Sequence, residues 1–181
     1  MRPIALLLLG LASAVALAAG GEDERFMPKG GRTLLIEALG PDPGVAALRP
    51  VLTAKKSESE WAAFAAERAA KASERERATL AAYLAVNMPA GNAVGKPDAK
   101  AMLAALPRDG RDLAWQQCQF CHSLFTSHLT QQRDAQGWRN MFLSPFHREM
   151  KMSPQEREEF SRYSAINMPM KVDDVPPDLR F

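Results

Sequence analysis

Ser73-Glu74-Arg75-Glu76-Arg77-Ala78-Thr79-Leu80-Ala81-Ala82-Tyr83-Leu84-Ala85-Val86-Asn87-Met88-Pro89 returns eighty positions later (153 against 73) as Ser153-Pro154-Gln155-Glu156-Arg157-Glu158-Glu159-Phe160-Ser161-Arg162-Tyr163-Ser164-Ala165-Ile166-Asn167-Met168-Pro169. Ser, Glu, Arg, Tyr, Ala, Asn, Met and Pro recur in register without a gap. Each copy opens with a serine followed three residues on by glutamate. This is a capping box, in which the two side chains satisfy orphan N–H groups at a helix start. Leu80, Tyr83 and Leu84 share one side of the first helix, and Pro89 forbids its continuation. Asn87 suits a helix end because asparagine tolerates the left-handed conformation. The chain therefore reads as all-α, built from two related helical units. Two unrelated, well-capped amphipathic helices would also match in part.

Outward from the first copy, Ser57 with Glu60 is another capping box, and Trp61, Phe64, Ala65 and Arg68 follow at helical spacing. Residues 57–97 form one helical module with its linker, Ala90 to Pro97 being rich in turn residues. Residues 20–56 read as a mostly irregular segment. Within it, Thr33 to Leu39 suits a short helix or strand, Val45 to Leu52 suits a helical turn, and Gly40-Pro41-Asp42-Pro43-Gly44 is turn chemistry. Residues 98–181 form the second module and its tail. Asp98 caps a short apolar helix stopped at Pro107, and Asp109-Gly110-Arg111-Asp112 starts another that runs into Cys118.

Residues 1–19 are a secretory signal. Arg2 precedes an apolar run from Ile4 to Leu17, and Ala14, Ala16, Ala18 and Ala19 offer cleavage choices. The run is shorter than the ~20 apolar residues of a spanning helix, so no transmembrane anchor is expected after cleavage, and the expected location is periplasmic. The formal charge of +2 falls to +1 without Arg2, which leaves no basic surplus for nucleic acid. From Asp98 to Phe181 eleven basic residues balance eleven acidic ones, so net charge predicts no partner.

The second module contains Cys118-Gln119-Phe120-Cys121-His122. Two cysteines three apart with histidine next is the spacing for covalent attachment of haem c, with Cys118 and Cys121 as thioethers and His122 as proximal iron ligand. These are the only cysteines, and His122, His128 and His147 are the only histidines. A thiol–disulfide couple would follow a strand, which is not seen here, and zinc sites more often pair clusters across a longer loop. The first unit has neither cysteine nor histidine, so it is a haemless counterpart. Because Met88 stands in that haemless copy, Met168 reads as a packing residue.

Asp109 to Trp115, the Cys118–His122 motif and the helix carrying Phe160 and Tyr163 resemble the class I cytochrome c family over Asp98 to about Met170, and weakly over Ser57 to Pro89. Gln116-Gln117 and Gly137-Trp138 look most like the cytochrome subunits of periplasmic dehydrogenases. The resemblance implies crossed terminal helices at one haem edge and a sixth ligand from the loop between them. Spacing puts His147 first, Met150 second and Met141 third for that ligand, while Met152 beside the Ser153 cap reads as packing. His128 is expected to be solvated or near the propionates. Trp115, Phe120, Phe125 and Trp138 suit a haem pocket or core, and Arg133 and Arg139 suit propionates or solvent.

The expected function is one-electron transfer with a redox partner protein, without enzymatic chemistry of its own, with one covalent haem and possible membership of a dehydrogenase. A haem-based sensor, small-molecule binder or peroxidase-like protein with an open sixth site is the alternative. A mainly structural subunit is a further one. The tail from Val172 would wrap a module or meet a partner.

Overall fold

The computed structural model describes residues 26–118 and 121–180, so the signal-peptide reading of residues 1–19 and the pocket role of Phe120 lie outside the described residues. Of Phe125, only the backbone is described. All elements among the described residues are helical, as the capping boxes require. They are α1 (Gly31–Leu39), α2 (Val45–Thr53), α3 (Glu58–Arg68), α4 (Glu74–Asn87), α5 (Gly91–Val94), α6 (Ala99–Ala104), α7 (Gly110–Cys118), α8 (Ala135–Met141), α9 (Pro145–Arg148) and α10 (Pro154–Asn167). A π-helical turn spans Phe125–Leu129. The boxes at Ser57, Ser73 and Ser153 all form as read, and Asp98 accepts from the Ala101 N–H. No described helix is long and apolar enough to cross a membrane.

The described part of the segment read as mostly irregular, residues 26–56, is largely helical. Their glycines end helices instead of breaking them: Gly30 and Gly44 are N-caps, and Gly40, at φ 106°, closes α1 in a conformation that side chains disfavour. Leu34, Leu35, Leu48 and Leu52 bury in the first core with Trp61, Leu80, Tyr83 and Leu84. That tertiary burial settles short segments whose propensity was indecisive.

The first unit accordingly begins before residue 57. α1 crosses α4 where Gly31 meets Tyr83, and α7 crosses α10 where Gly110 meets Tyr163. An added Cβ would lie 2.1 Å from the tyrosine Cβ in each case. Further pairs repeat: the Ala90 N–H donates to the Leu52 carbonyl as Met170 does to Leu129, and Arg77 and Arg157 donate to the Ala72 and Met152 carbonyls. Lys56 and Arg133 lie over Trp61 and Trp138, at 5.7 and 5.2 Å from the ring centroids.

The two units pack along α4 and α10 and exchange matching bonds. Tyr83 Oη donates to the Pro107 carbonyl at 2.9 Å, and Tyr163 Oη to Pro28 at 2.7 Å. Asn87 Nδ2 donates to Glu159 Oε2 and Asn167 Nδ2 to Thr79 Oγ1, both at 3.0 Å. α4 does end at Asn87, but without a left-handed cap, since among the described residues none other than glycine has positive φ. The asparagine is there for its amide, which bonds both the Tyr83 carbonyl and the other unit. The tail packs on the second core through Val175 and Leu179.

Glu159 sits in this seam, 2% exposed, accepting from the Gly110 N–H at 3.1 Å. Burial pushes its carboxyl up to about 8, Asp109 adds to the shift, and the N–H donors offset it in part. Burial depresses His128 to about 3. The unfolded chain releases the Glu159 proton near pH 4.3, well before the folded chain does, so stability is lost as pH rises toward 8. His128 acts oppositely: below about pH 6.5 the unfolded chain takes a proton that the folded chain refuses until about 3, so stability is lost on acidification. Denaturant unfolding is expected to give a plateau near pH 5–6 with limbs approaching ~1.4 kcal/mol per pH unit. Glu159→Gln should flatten most of the alkaline limb and, with the compensation gone, extend the acid limb up to about pH 6.5. An unaltered alkaline limb in that variant would refute the assignment.

Candidate functional site

α7 carries the motif to its place. The Asp112 N–H donates to Asp109 Oδ1 at 3.0 Å and caps the helix start, and Leu113 and Ala114 bury against α10. The helix ends at Cys118, 8% exposed, and the chain turns so that Cys121 and His122 are exposed. Both cysteines are free thiols. Cys118, Cys121 and His122 line a cavity of about 260 Å³ with His128, Met141, Phe146, His147, Met150 and Phe160. Exposed Cys121, His122 and Phe146 mark its mouth.

All three candidates for the sixth position, His147, Met150 and Met141, line this one cavity. His147 stands apart from the other two by its relation to His122, because the ring centroids are 6.2 Å apart with planes at 78°. Two imidazoles bound through nitrogen at about 2 Å on opposite sides of one metal have centroids about 6 Å apart, counting the two ring radii. His147 Nδ1 is 2.8 Å from Ser144 Oγ, so its other nitrogen is the one left for ligation. Burial, the neighbouring His122 and Arg133 lower its proton affinity, only partly offset by a bond to the Met141 carbonyl, which favours the neutral ring a metal needs. Met152 is buried in the second core, as read, and Met168 is buried there too, away from the cavity lining.

His128 departs from its reading. It is neither solvated nor exposed but 2% accessible, stacked on Phe160 at 5.1 Å, edge-on to Trp138 at 5.0 Å, with Nε2 2.8 Å from Ser164 Oγ. The π-helical turn rotates it inward, where the matching register of the first unit (Leu52 to Leu129) places buried Val51. Its Nδ1 is buried with no partner among the described residues. Trp138 Nε1 is equally unpartnered, but so is Trp61 Nε1 in the first unit, so the indole belongs to the repeat and not to the site. Arg139 pairs with Glu158 at 2.8 Å, Arg133 packs over Trp138, and Trp115 meets Phe26 edge-on.

The two units differ in segments that line the cavity. Where the second has the cysteine motif, the first has Gly40 to Gly44 leading into α2. Where α3 continues to Arg68, its counterpart α8 stops at Met141, and residues 142–152 fold as a loop carrying α9. Leu48 and Leu52 are fully buried on α2, so the first unit closes its core with its own side chains.

Burial, with Cys121 beside it, pushes the Cys118 thiol up to about 12. A thiol–disulfide couple is activated by the reverse shift. Among the described residues no three or more His, Cys, Asp or Glu converge on a common point, so the site lacks a cage for a bare ion. Two neighbouring imidazoles and two free thiols line the one cavity. Covalent haem fits that donor set, and the unpartnered His128 Nδ1 in the wall fits a polar group entering the cavity. No protein-family model, curated protein or solved structure matches the chain.

Proposed function

We propose that the protein is a c-type cytochrome of class I kind that carries one covalent haem in its second unit and exchanges single electrons with a redox partner protein. The observation that carries this is that both free thiols and the neighbouring His122 and His147 rings line a single, mostly apolar cavity. When bound, the group supplies a one-electron Fe(III)/Fe(II) couple. Cys118 and Cys121 would hold it as thioethers, and His122 of the motif and His147 of the loop would hold its iron. Phe160, Met141 and Met150 line the cavity and would shield the bound group from water, which favours a low reorganisation cost. Cys121 and His122 are exposed at the mouth, so a group held there would be within reach of a partner.

The first unit is a haemless relative that braces α10 from the far side. Export, a periplasmic location and association with a dehydrogenase follow from the N-terminal sequence and the family resemblance. On this reading the thiols and facing-loop imidazole of the cavity are committed to the cofactor, so the protein serves as carrier or subunit and not as an enzyme by itself.

The test is low-temperature EPR and near-infrared magnetic circular dichroism of the ferric protein, produced in a host that attaches c-type haem. Low-spin iron with two imidazoles is expected, and His147→Ala should remove the second imidazole. Histidine–methionine ligation would shift the ligand to Met150 or Met141 while keeping electron transfer. High-spin iron with an open sixth position would overturn electron transfer in favour of ligand binding.

A further inference from the structure

We propose that Ser144 is a positioning residue that grips the His147 ring at Nδ1 and so presents Nε2 to the metal position opposite His122. This rests on the reading of His147 as the second axial ligand.

Ser144 is the N-cap of α9, where a serine hydroxyl ordinarily accepts from the backbone N–H two or three residues on. Ser57, Ser73 and Ser153 all do so, each binding the third N–H of its helix. Ser144 makes no such bond. Its Oγ instead lies 2.8 Å from the ring of His147, the residue at that third position. The cap is turned from the helix to the side chain, and Arg148 closes the α9 turn by donating to the Ser144 carbonyl through its backbone alone.

Orientation matters here because the ring has competitors. Met141 and Met150 line the same cavity, and either thioether would be a soft ligand in place of a misaligned imidazole. His147 is only partly buried, so packing alone does not lock its ring. When Ser144 Oγ accepts from Nδ1–H, the proton stays on Nδ1 and the lone pair is left on Nε2. The accepting hydroxyl also raises the basicity of the ligand. Pro145 at the first helical position holds the short turn that sets the serine-to-histidine spacing.

The experiment compares wild type, Ser144→Ala and Ser144→Thr as ferric holoproteins, with cyanide as the competing ligand and EPR as a second readout. Ser144→Ala is expected to bind cyanide about tenfold more tightly, with an EPR spectrum that broadens or gains a second low-spin species and a midpoint potential above that of wild type. Ser144→Thr, which keeps the hydroxyl, should match wild type. Because Ser144 makes no backbone cap bond, the alanine variant should keep the wild-type far-ultraviolet dichroism and melting profile. Unchanged cyanide affinity and EPR in Ser144→Ala, on a wild type shown to have two imidazoles, overturns the positioning role alone. A wild type without a second imidazole overturns the ligand assignment and this proposal together.

Discussion

Alanine at both Cys118 and Cys121 is expected to abolish the haem adduct, so that the denatured chain has the mass of the polypeptide alone and no Soret absorption. On the proposed reading these are the only covalent anchors, since they are the only cysteines in the chain. Single variants should separate. Cys118 is 8% exposed and packed in the second core with Leu113 and Phe160, whereas Cys121 is exposed. Cys121→Ala leaves the inner thioether and a ligand-held haem, with reduced yield. Cys118→Ala leaves the group tethered at the mouth, so it should lose haem more readily on dilution into denaturant. The first core contains neither cysteine, so its contribution to cooperative unfolding should persist in the double variant. Intact-mass measurement decides the matter: a wild-type chain with no haem adduct, produced in a competent host, would sink the proposed function.

Gly110→Val is expected to lower stability by about 3 kcal/mol or more, and the melting temperature by roughly 6–12 °C. The cause is at the α7–α10 crossing, where a Cβ on Gly110 would lie 2.1 Å from Tyr163 Cβ and 2.4 Å from its Cγ. Neither helix has room to withdraw. The Gly110 N–H is bonded to buried Glu159, and Tyr163 Oη is bonded to the Pro28 carbonyl of the other unit. Gly31→Val should cost a similar amount, because the same contact recurs against Tyr83 at 2.1 Å. Gly91→Ala is the control: it lies inside α5 and nothing lies within 4 Å of its added Cβ, so stability should hold or rise by a few tenths of a kcal/mol. Thermal melts of the three variants check this, and a Gly110→Val protein that melts with wild type would show that the crossing is looser than described. Since α7 also delivers Cys118 to the cavity, Gly110→Val should reduce haem incorporation as well, whereas Gly31→Val should affect it less.

Local signals carried the reading where their physics is local. A serine with glutamate three residues on satisfies its own helix start, so Ser57, Ser73 and Ser153 could be recognised without knowing what the helices touch. Spacing within five residues likewise marks Cys118, Cys121 and His122. The eighty-residue repeat marked α4 and α10 as counterparts, because both conserve residues they need for the same crossing.

The extension of that repeat to Gly31 was hidden. Its evidence is one small residue under one tyrosine, and glycine-rich sequence before Gly44 reads equally well as irregular chain until α4 is in place. His128 was misjudged for a related reason, since a polar residue six positions after the motif faces water unless a π-helical turn rotates it inward, and only packing on Phe160 and Trp138 keeps that turn.

By itself, then, the sequence determined helix starts and ends, the tandem repeat, and which thiols and imidazoles are available for a cofactor, because each of these depends on neighbours a few residues away or on simple counting. Tertiary structure alone decided the seam between the units, with Glu159 buried between Gly110 and Asn87, and the 6.2 Å between the His122 and His147 rings. Those depend on where separate helices meet, and burial and distance exist only once the chain has closed on itself.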